Sequence, residues 1–130
     1  MPQNAENADV LVYIHGSAFM GGCGFEKHMD GSEYAKRGMV FITLNYRLGP
    51  LGFLCDPQLA KESGHTGNYG LYDQLCALKR IHENIKDYGG DPEKVTLLAQ
   101  LAGAMSSTMH CLSQLSRPYF KAAYLSRGGI

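Results

Sequence analysis

The sequence predicts an α/β fold, with about four parallel strands flanked by helices. Three apolar runs lack polar alternation and predict strands buried on both faces: Val10 to Ile14, Met39 to Leu44 and Val95 to Leu98. A weaker run of the same kind spans Ala122 to Leu125. Helix-like segments separate these runs, and strands that alternate with helices are typical of a parallel sheet with right-handed crossovers.

Three helices are predicted between the strands. The first spans Ser32 to Arg37 and ends at Gly38, a residue type that commonly ends helices. The second, Leu71 to Ile85, places leucine and isoleucine along one face, and the third, Ala102 to Leu112, follows the third strand. The Gly- and Pro-rich segment from Asn45 to Asn68 is predicted to be a long loop. Such loops at the carboxyl end of a strand are usually functional.

Length and composition indicate a single domain without strong charge. The chain has 130 residues, which is the length of one domain. We assign this domain to residues 10–130 and expect residues 1–9 to form a flexible tail. Lys+Arg and Asp+Glu both number 12, so the balance gives no electrostatic reason to bind nucleic acid or an anionic membrane. The charged fraction of 18% is below the usual ~25%, which suggests that a partner covers part of the surface or once covered it.

The first residues and the cysteines indicate an intracellular protein without metal. No basic patch followed by an apolar run opens the sequence, and no run approaches the ~18 residues of a membrane helix. We therefore expect a cytoplasmic location and no membrane association. The 4 cysteines form no C-x-x-C pair, so reduced thiols are expected, and neither a metal site nor a cofactor is predicted.

Four loops have unusually particular sequences and carry a resemblance. They are His15 to Phe19 after the first strand, Asn45 to Leu54 after the second, and Gly67 to Gln74 and Tyr88 to Pro92 at the two ends of the long helix. Over the chain from about Val10 to Gly128 they resemble the type B carboxylesterases. This α/β-hydrolase family includes the cholinesterases and para-nitrobenzyl esterases. The resemblance implies hydrolysis of small carboxylic esters through an acyl-enzyme.

The resemblance also implies where an oxyanion would be stabilised. His15 to Phe19 corresponds to the family's oxyanion loop, and the donors would be the backbone amides of Ser17, Ala18 and Ala102. The family usually has glycine at the position of Ser17. If this position requires a positive φ, serine would occupy it with strain of about 1–3 kcal/mol.

The sequence departs from the family at the nucleophile. The family's Gly-x-Ser-x-Gly elbow is replaced by Ala99 to Gly103, so Leu101 occupies the serine position, and its isobutyl group cannot attack a carbonyl. We expect that Leu101 relaxes the strained turn. No acidic residue follows Glu93, and His110 is the only histidine after Leu101, so the inherited triad cannot be assembled within one copy of these residues. The chain is expected to be a truncated core of the family fold.

Any activity would therefore need a rebuilt site. Ser106 and Ser107 precede His110 at helical spacing and could face its imidazole, whereas Ser17 lies close to His15 in the loop. The alternative for His15 is a structural histidine bonded to backbone. The substitute catalytic residues considered are Ser17, His15, Ser106, Ser107, His110 and Ser126.

Two functions remain open from the sequence. The first is an esterase-family protein whose hydrolytic site is rebuilt. The second is a catalytically inactive remnant that acts as a binding or assembly module or has no function. The family's strand order would place the Met39 and Ala122 strands at the sheet edges, without the lysines or prolines that discourage edge pairing. We therefore expect a homo-oligomer formed through these edges.

Overall fold

The structure of the chain is a computed structural model that describes residues 1–127 and contains one parallel sheet. Its 4 strands lie in the order β2-β1-β3-β4. They are β1 (Ala8–Ile14), β2 (Val40–Thr43), β3 (Gly90–Gln100) and β4 (Ala122–Ser126). Every pairing is parallel, which confirms the predicted α/β fold and the predicted edge strands. Residues 128–130, at the end of the predicted 10–130 domain, lie outside the described residues.

The three predicted helices are present with small differences in their bounds. They are α1 (Ser32–Lys36), α4 (Tyr69–Asn84) and α5 (Ala102–Leu112). Short 3₁₀ helices span Lys27–Met29, Ile85–Tyr88 and Arg117–Tyr119. Within the part of the chain that the structure describes, no helix combines the length and apolar character needed to cross a bilayer.

The segment from Asn45 to Asn68 contains helices where the sequence predicts a loop. They are α2 (Gly49–Phe53) and α3 (Pro57–Ser63), and each has a proline in its first turn. Asp56 caps α3, because its carboxylate accepts hydrogen bonds from the backbone N–H groups of Gln58 and Leu59 at 2.7 and 3.1 Å. The expectation of an unstructured loop was wrong, since here Pro and Gly mark the ends of short helices.

The centre of the sheet forms the core. β1 and β3 lie side by side, with Val10 opposite Val95 and Val12 opposite Leu97. All four side chains are fully buried, and burial of each contributes roughly 1.5–3 kcal/mol. The backbone N–H of Ala8 donates to the carbonyl of Gly89 at 3.0 Å. The end of the segment 1–9, predicted to be a flexible tail, is therefore part of the sheet.

An ion pair attaches the segment after β2 to α4. The guanidinium of Arg47 donates to both carboxylate oxygens of Asp73 at 2.8 Å, and the backbone N–H of Arg47 donates to the same group at 2.9 Å. These hydrogen bonds hold the pKa of Asp73 below its ordinary value, although partial burial opposes the shift. Arg47 and Asp73 are therefore structural anchors that pair with each other.

The strand order brings two loops together at one end of the sheet. β1 and β3 are neighbours, so the loop after Ile14 and the turn after Gln100 leave the sheet side by side. A Cβ added at Gly16 would lie 2.6 Å from the carbonyl oxygen of Gln100 and 3.0 Å from the Cβ of Leu101. Only a glycine permits this close approach, so the two loops are in direct contact.

Candidate functional site

The chain leaves β3 through a sharp turn at Leu101. This residue has φ 52° and ψ −121°, a backbone conformation that side chains other than glycine rarely adopt. The backbone N–H of Leu101 donates to the carbonyl of Ser126 at 3.0 Å, and its carbonyl accepts from Met105, also at 3.0 Å. The side chain is partly exposed. The expectation that leucine would relax the turn was therefore wrong.

Tight packing behind the turn explains why it stays strained. A Cβ at Gly103 would lie 2.1 Å from the carbonyl oxygen of Ile14 and 2.7 Å from that of His15. The first turn of α5 is thus pressed against the end of β1, and the chain must reverse within a single residue. Ala99, which replaces a family glycine, is buried in the core, where its methyl group is accommodated.

The loop after β1 is held in a left-handed turn. Ser17, Ala18 and Phe19 have φ values of 74°, 54° and 61°. The carbonyl of Ser17 accepts hydrogen bonds from the N–H groups of Met20 and Gly21 at 3.1 and 3.3 Å, which closes the turn. Serine thus occupies the positive-φ position anticipated from the sequence, at a cost of roughly 1–2 kcal/mol.

Three backbone amides near the turn are candidate donors to a ligand. Within residues 1–127, the N–H groups of Ser17 and Ala18 donate to no other main-chain group. Ala102 is the first residue of α5, where an N–H group has no intrahelical acceptor. Both loops meet at Gly16, so these amides belong to one surface at the carboxyl ends of β1 and β3.

His15 is buried beneath this loop. Its ring stacks on Tyr46 with centroids 4.5 Å apart, and the Tyr46 hydroxyl donates to the His15 carbonyl at 2.8 Å. Burial raises the pKa of Tyr46 to about 12. The Nδ1 atom lies 3.2 Å from the carbonyl oxygen of Gly16, which can only accept, so Nδ1 carries the proton. Nε2 is buried without a partner among the described residues, and the geometry agrees with the structural alternative for His15.

His110 lies between α4 and α5 rather than at the surface. Its Nε2 is 2.9 Å from Oε1 of Gln74, and its Nδ1 is 2.8 Å from Oγ of Ser116. Burial lowers the pKa of His110 to about 4. A neutral imidazole protonated at Nε2 fits both contacts, because the amide oxygen accepts and the hydroxyl donates.

Neither Ser106 nor Ser107, which the sequence allowed to face this imidazole, is hydrogen-bonded to it. The Ser106 hydroxyl donates to the carbonyl of Gly103 at 2.9 Å, and the buried Ser107 hydroxyl has no partner among the described residues. The nitrogens of His110 are instead occupied by Gln74 and Ser116, because a buried imidazole requires partners on both sides. Gln74 could have been suspected from its place on the apolar face of the long helix, whereas nothing in the sequence marks Ser116.

Another candidate, Ser126, contributes its backbone carbonyl to the turn at Leu101. Outside the predicted set, Oγ of Ser63 lies 3.1 Å from Nδ1 of His65. That hydroxyl also lies 2.8 Å from two backbone carbonyls, which compete for its single proton. In the part of the chain described here, no predicted substitute serine is hydrogen-bonded to an imidazole.

An apolar hollow borders Phe19, the residue that follows Ala18 in the loop. It has a volume of about 510 Å³ and is lined mainly by apolar groups, among them Phe19 of the loop, Phe53 of α2 and Met109 of α5. Among residues 1–127, no group of three or more His, Cys, Asp or Glu side chains is arranged to hold a metal ion. The site therefore offers main-chain donors and an apolar wall.

Comparison with known proteins agrees with the resemblance drawn from the loops. The carboxylesterase family model matches residues 1–130. The chain is 44% identical over 123 residues to the fumonisin B1 esterase of Sphingopyxis macrogoltabida, covering 93% of this chain and 23% of that protein. It is 41% identical over 125 residues to the para-nitrobenzyl esterase of Bacillus subtilis (strain 168), covering 95% and 25%.

Solved structures of para-nitrobenzyl esterases share the fold of this chain. A solved para-nitrobenzyl (PNB) esterase superposes with a TM-score of 0.84 at 41% identity, covering 92% of this chain and 25% of that structure. A thermophilic PNB esterase gives a TM-score of 0.84 at 40% identity. The chain thus spans about a quarter of the length of these relatives. With the family model matched from the first residue to the last, the chain belongs to the carboxylesterase family.

Proposed function

We propose that this chain is a carboxylesterase-family unit that does not hydrolyse esters and serves as a binding or assembly module. The observation that carries the proposal is Leu101 at the turn after β3. The turn presents the side chain at this position to the surface, where the family's nucleophile would stand. An isobutyl group has no lone pair, so it cannot form the acyl-enzyme that ester hydrolysis requires.

The amides and the hollow support ester recognition without turnover. An ester carbonyl oxygen is an acceptor that the unpaired N–H groups of Ser17, Ala18 and Ala102 can satisfy. The apolar hollow lined by Phe19 and Met109 suits a short acyl chain. Small carboxylic esters are therefore the proposed ligand class, and no nucleic acid, membrane, metal or cofactor is needed for their recognition.

One observation favours the alternative function, an esterase with a rebuilt site. Ser17 is exposed within the same loop, whereas Ser106 and Ser107 are fully buried. Its hydroxyl is consequently the predicted substitute that a substrate can reach most readily. The burial of His15 opposes this candidate, because its Nε2 atom is shielded from solvent and has no hydrogen-bond partner among the described residues, Ser17 included.

Turnover of activated esters separates the two candidates. The 130-residue chain and its Ser17→Ala variant are incubated with p-nitrophenyl acetate and butyrate, with the unfolded chain as the background for free imidazole. Both are then treated with a serine-directed fluorophosphonate and analysed by mass spectrometry. We expect no saturable turnover above background and no adduct. Saturable turnover that disappears in Ser17→Ala, with an adduct on Ser17, would establish the rebuilt site instead.

Ligand recognition has its own measurement. Titration of the ¹⁵N-labelled chain with ethyl butyrate should shift the amide resonances of Ser17, Ala18 and Ala102, while amides of α3 serve as an internal control. If the resonances of these three amides stay fixed, ester recognition is wrong and only the assembly function remains.

A further inference from the structure

One face of α5 exposes large apolar side chains. Met105, Met109 and Leu112 are 40%, 49% and 80% exposed, and their helical spacing places them along one stripe. Leu101, which is 45% exposed, directly precedes the helix. We name these four residues the α5 seam. Single exposed apolar side chains are ordinary, but a contiguous stripe of them indicates a surface that another molecule covers.

The seam lies in a long segment without formal charge. Between Lys94 and Arg117 the sequence contains no Asp, Glu, Lys or Arg. A helix face that stays in water normally carries such residues, so this face differs from a permanent solvent-facing surface. A neutral seam can also meet its own copy without like-charge repulsion. It offers nothing to attract a charged partner.

The seam combines a protrusion with a hollow. Leu112 is its most exposed member and stands about one helical turn from Met109. Met109 in turn lines the apolar hollow of about 510 Å³ that Phe19 and Phe53 also border. In a two-fold symmetric contact the same patch is used twice, so the Leu112 side chain of each copy can enter the hollow of the other. A side chain that fills an apolar pocket is the typical centre of a stable interface.

The apolar surface extends to both sides of the seam. Met20 and Leu54 are exposed at the rim of the hollow, and Leu115 is exposed beyond Met109. At these exposures each large side chain presents on the order of 100 Å², so together they approach the about 800 Å² per partner of a standard interface. The patch therefore has the extent that a dimer of two copies needs.

We propose that this chain forms a two-fold symmetric homodimer through the α5 seam, with Leu112 of each copy seated in the hollow beside Met109 of the other. The surface differs from the sheet edges, where the sequence placed self-association. Main-chain pairing at an edge strand would leave the seam uncovered, whereas the seam dimer buries the largest apolar stripe of the helix. The dimer uses the hollow that the proposed function assigns to an acyl chain, so dimerisation and ester binding would exclude each other. The two proposals are tested separately, because sedimentation detects the dimer without any ester.

Sedimentation equilibrium of the 130-residue chain tests the dimer over roughly 1 to 200 μM. We expect a monomer–dimer equilibrium, with Leu112→Lys and Met109→Lys each weakening association at least about tenfold. Both side chains are exposed, so far-UV circular dichroism of the variants should match that of the parent chain. Leu59→Lys on α3 is the matched control and should leave the dissociation constant unchanged.

Three outcomes would overturn the proposal. A monomer mass at every concentration would mean that something other than a second copy covers the seam, such as the parts of a carboxylesterase that this chain does not match. Association that survives both seam substitutions but is lost in Tyr124→Lys would place the contact at the β4 edge. Oligomers that grow beyond the dimer with concentration would exclude a closed two-fold contact.

Discussion

The loop after β1 and the turn after β3 have similarly unusual backbones, but they differ in what their side chains can do. Ser17 in the loop and Leu101 in the turn both have positive φ, at 74° and 52°. The loop presents main-chain N–H groups, which no substitution short of proline removes. The turn presents a side chain, whose chemistry depends on the residue type at that one position. Packing at Gly16 and Gly103 holds the backbone geometry of both segments, whichever side chains they carry.

The largest expected effect is on the packing that supports the turn. In Gly103→Ala the new Cβ would lie 2.1 Å from the carbonyl oxygen of Ile14, and both atoms belong to rigid main-chain elements. We expect a loss of about 3 kcal/mol or more in the free energy of unfolding, measured by urea denaturation, and a fall of roughly 10 °C in the melting temperature. Gly21→Ala, where a Cβ would meet no atom within 4 Å, is the control. Equal stabilities of the two variants would show that α5 can move away from β1.

The next effect concerns the buried histidine that joins α5 to α4. The pKa of His110 is about 4 in the folded chain, against about 6.5 for an unfolded imidazole. Between these values the unfolded state binds a proton that the folded state excludes. The free energy of unfolding should therefore fall as the pH falls from about 6.5 to 4, by roughly 3 kcal/mol.

Two variants isolate this contribution to the pH dependence. His110→Gln should flatten the curve of unfolding free energy against pH, since the titrating group is gone. Ser116→Ala removes one partner but leaves the imidazole buried, so its slope should persist. If His110→Gln keeps the full slope of the parent chain, the pH dependence arises at other groups.

The smallest expected effect is the difference in stability between glycine and alanine variants at Leu101 and at Ser17, which reports the backbone strain at each position. At an ordinary helical position such as Lys79, alanine is more stabilising than glycine by about 1 kcal/mol. At Leu101 and Ser17 the order should be reversed, because only glycine adopts a positive φ without cost. We expect the free energy of unfolding, measured by urea denaturation, to be about 1 kcal/mol higher with glycine than with alanine at Leu101. The difference at Ser17 should be somewhat smaller. If the alanine variant is more stable than the glycine variant at position 101, the turn is not strained there.

Much of the fold could be predicted because its signals are local. Uninterrupted apolar runs identified β1 and β3, and helical spacing with a terminal glycine identified α1 and α4. The helices of the segment from Asn45 to Asn68 were missed because their main signals are a capping carboxylate at Asp56 and prolines, which also occur in turns.

The positions of the loop after β1 and the turn after β3 could be predicted from the sequence, because their residues directly follow predicted strands. That these segments form a functional site stays a prediction. The partners of His110 depend on how α4 packs against α5, which spacing along a single helix does not reveal. The relaxed turn was expected from Leu101 alone, whereas the conformation of the turn depends on the close contact between Gly103 and the carbonyl of Ile14.

The strand order has a consequence for how the chain could be divided. β1 and β2 precede the exposed helix α3, whereas β3 and β4 follow it, and the two halves meet only once in the sheet, between β1 and β3. A protease that cuts at Lys61 would sever the backbone without removing a strand from either half. The fragments would still share the central ladder and the bond between Arg47 and Asp73. The two halves of the chain are thus joined by the central ladder and one ion pair as well as by the backbone through α3.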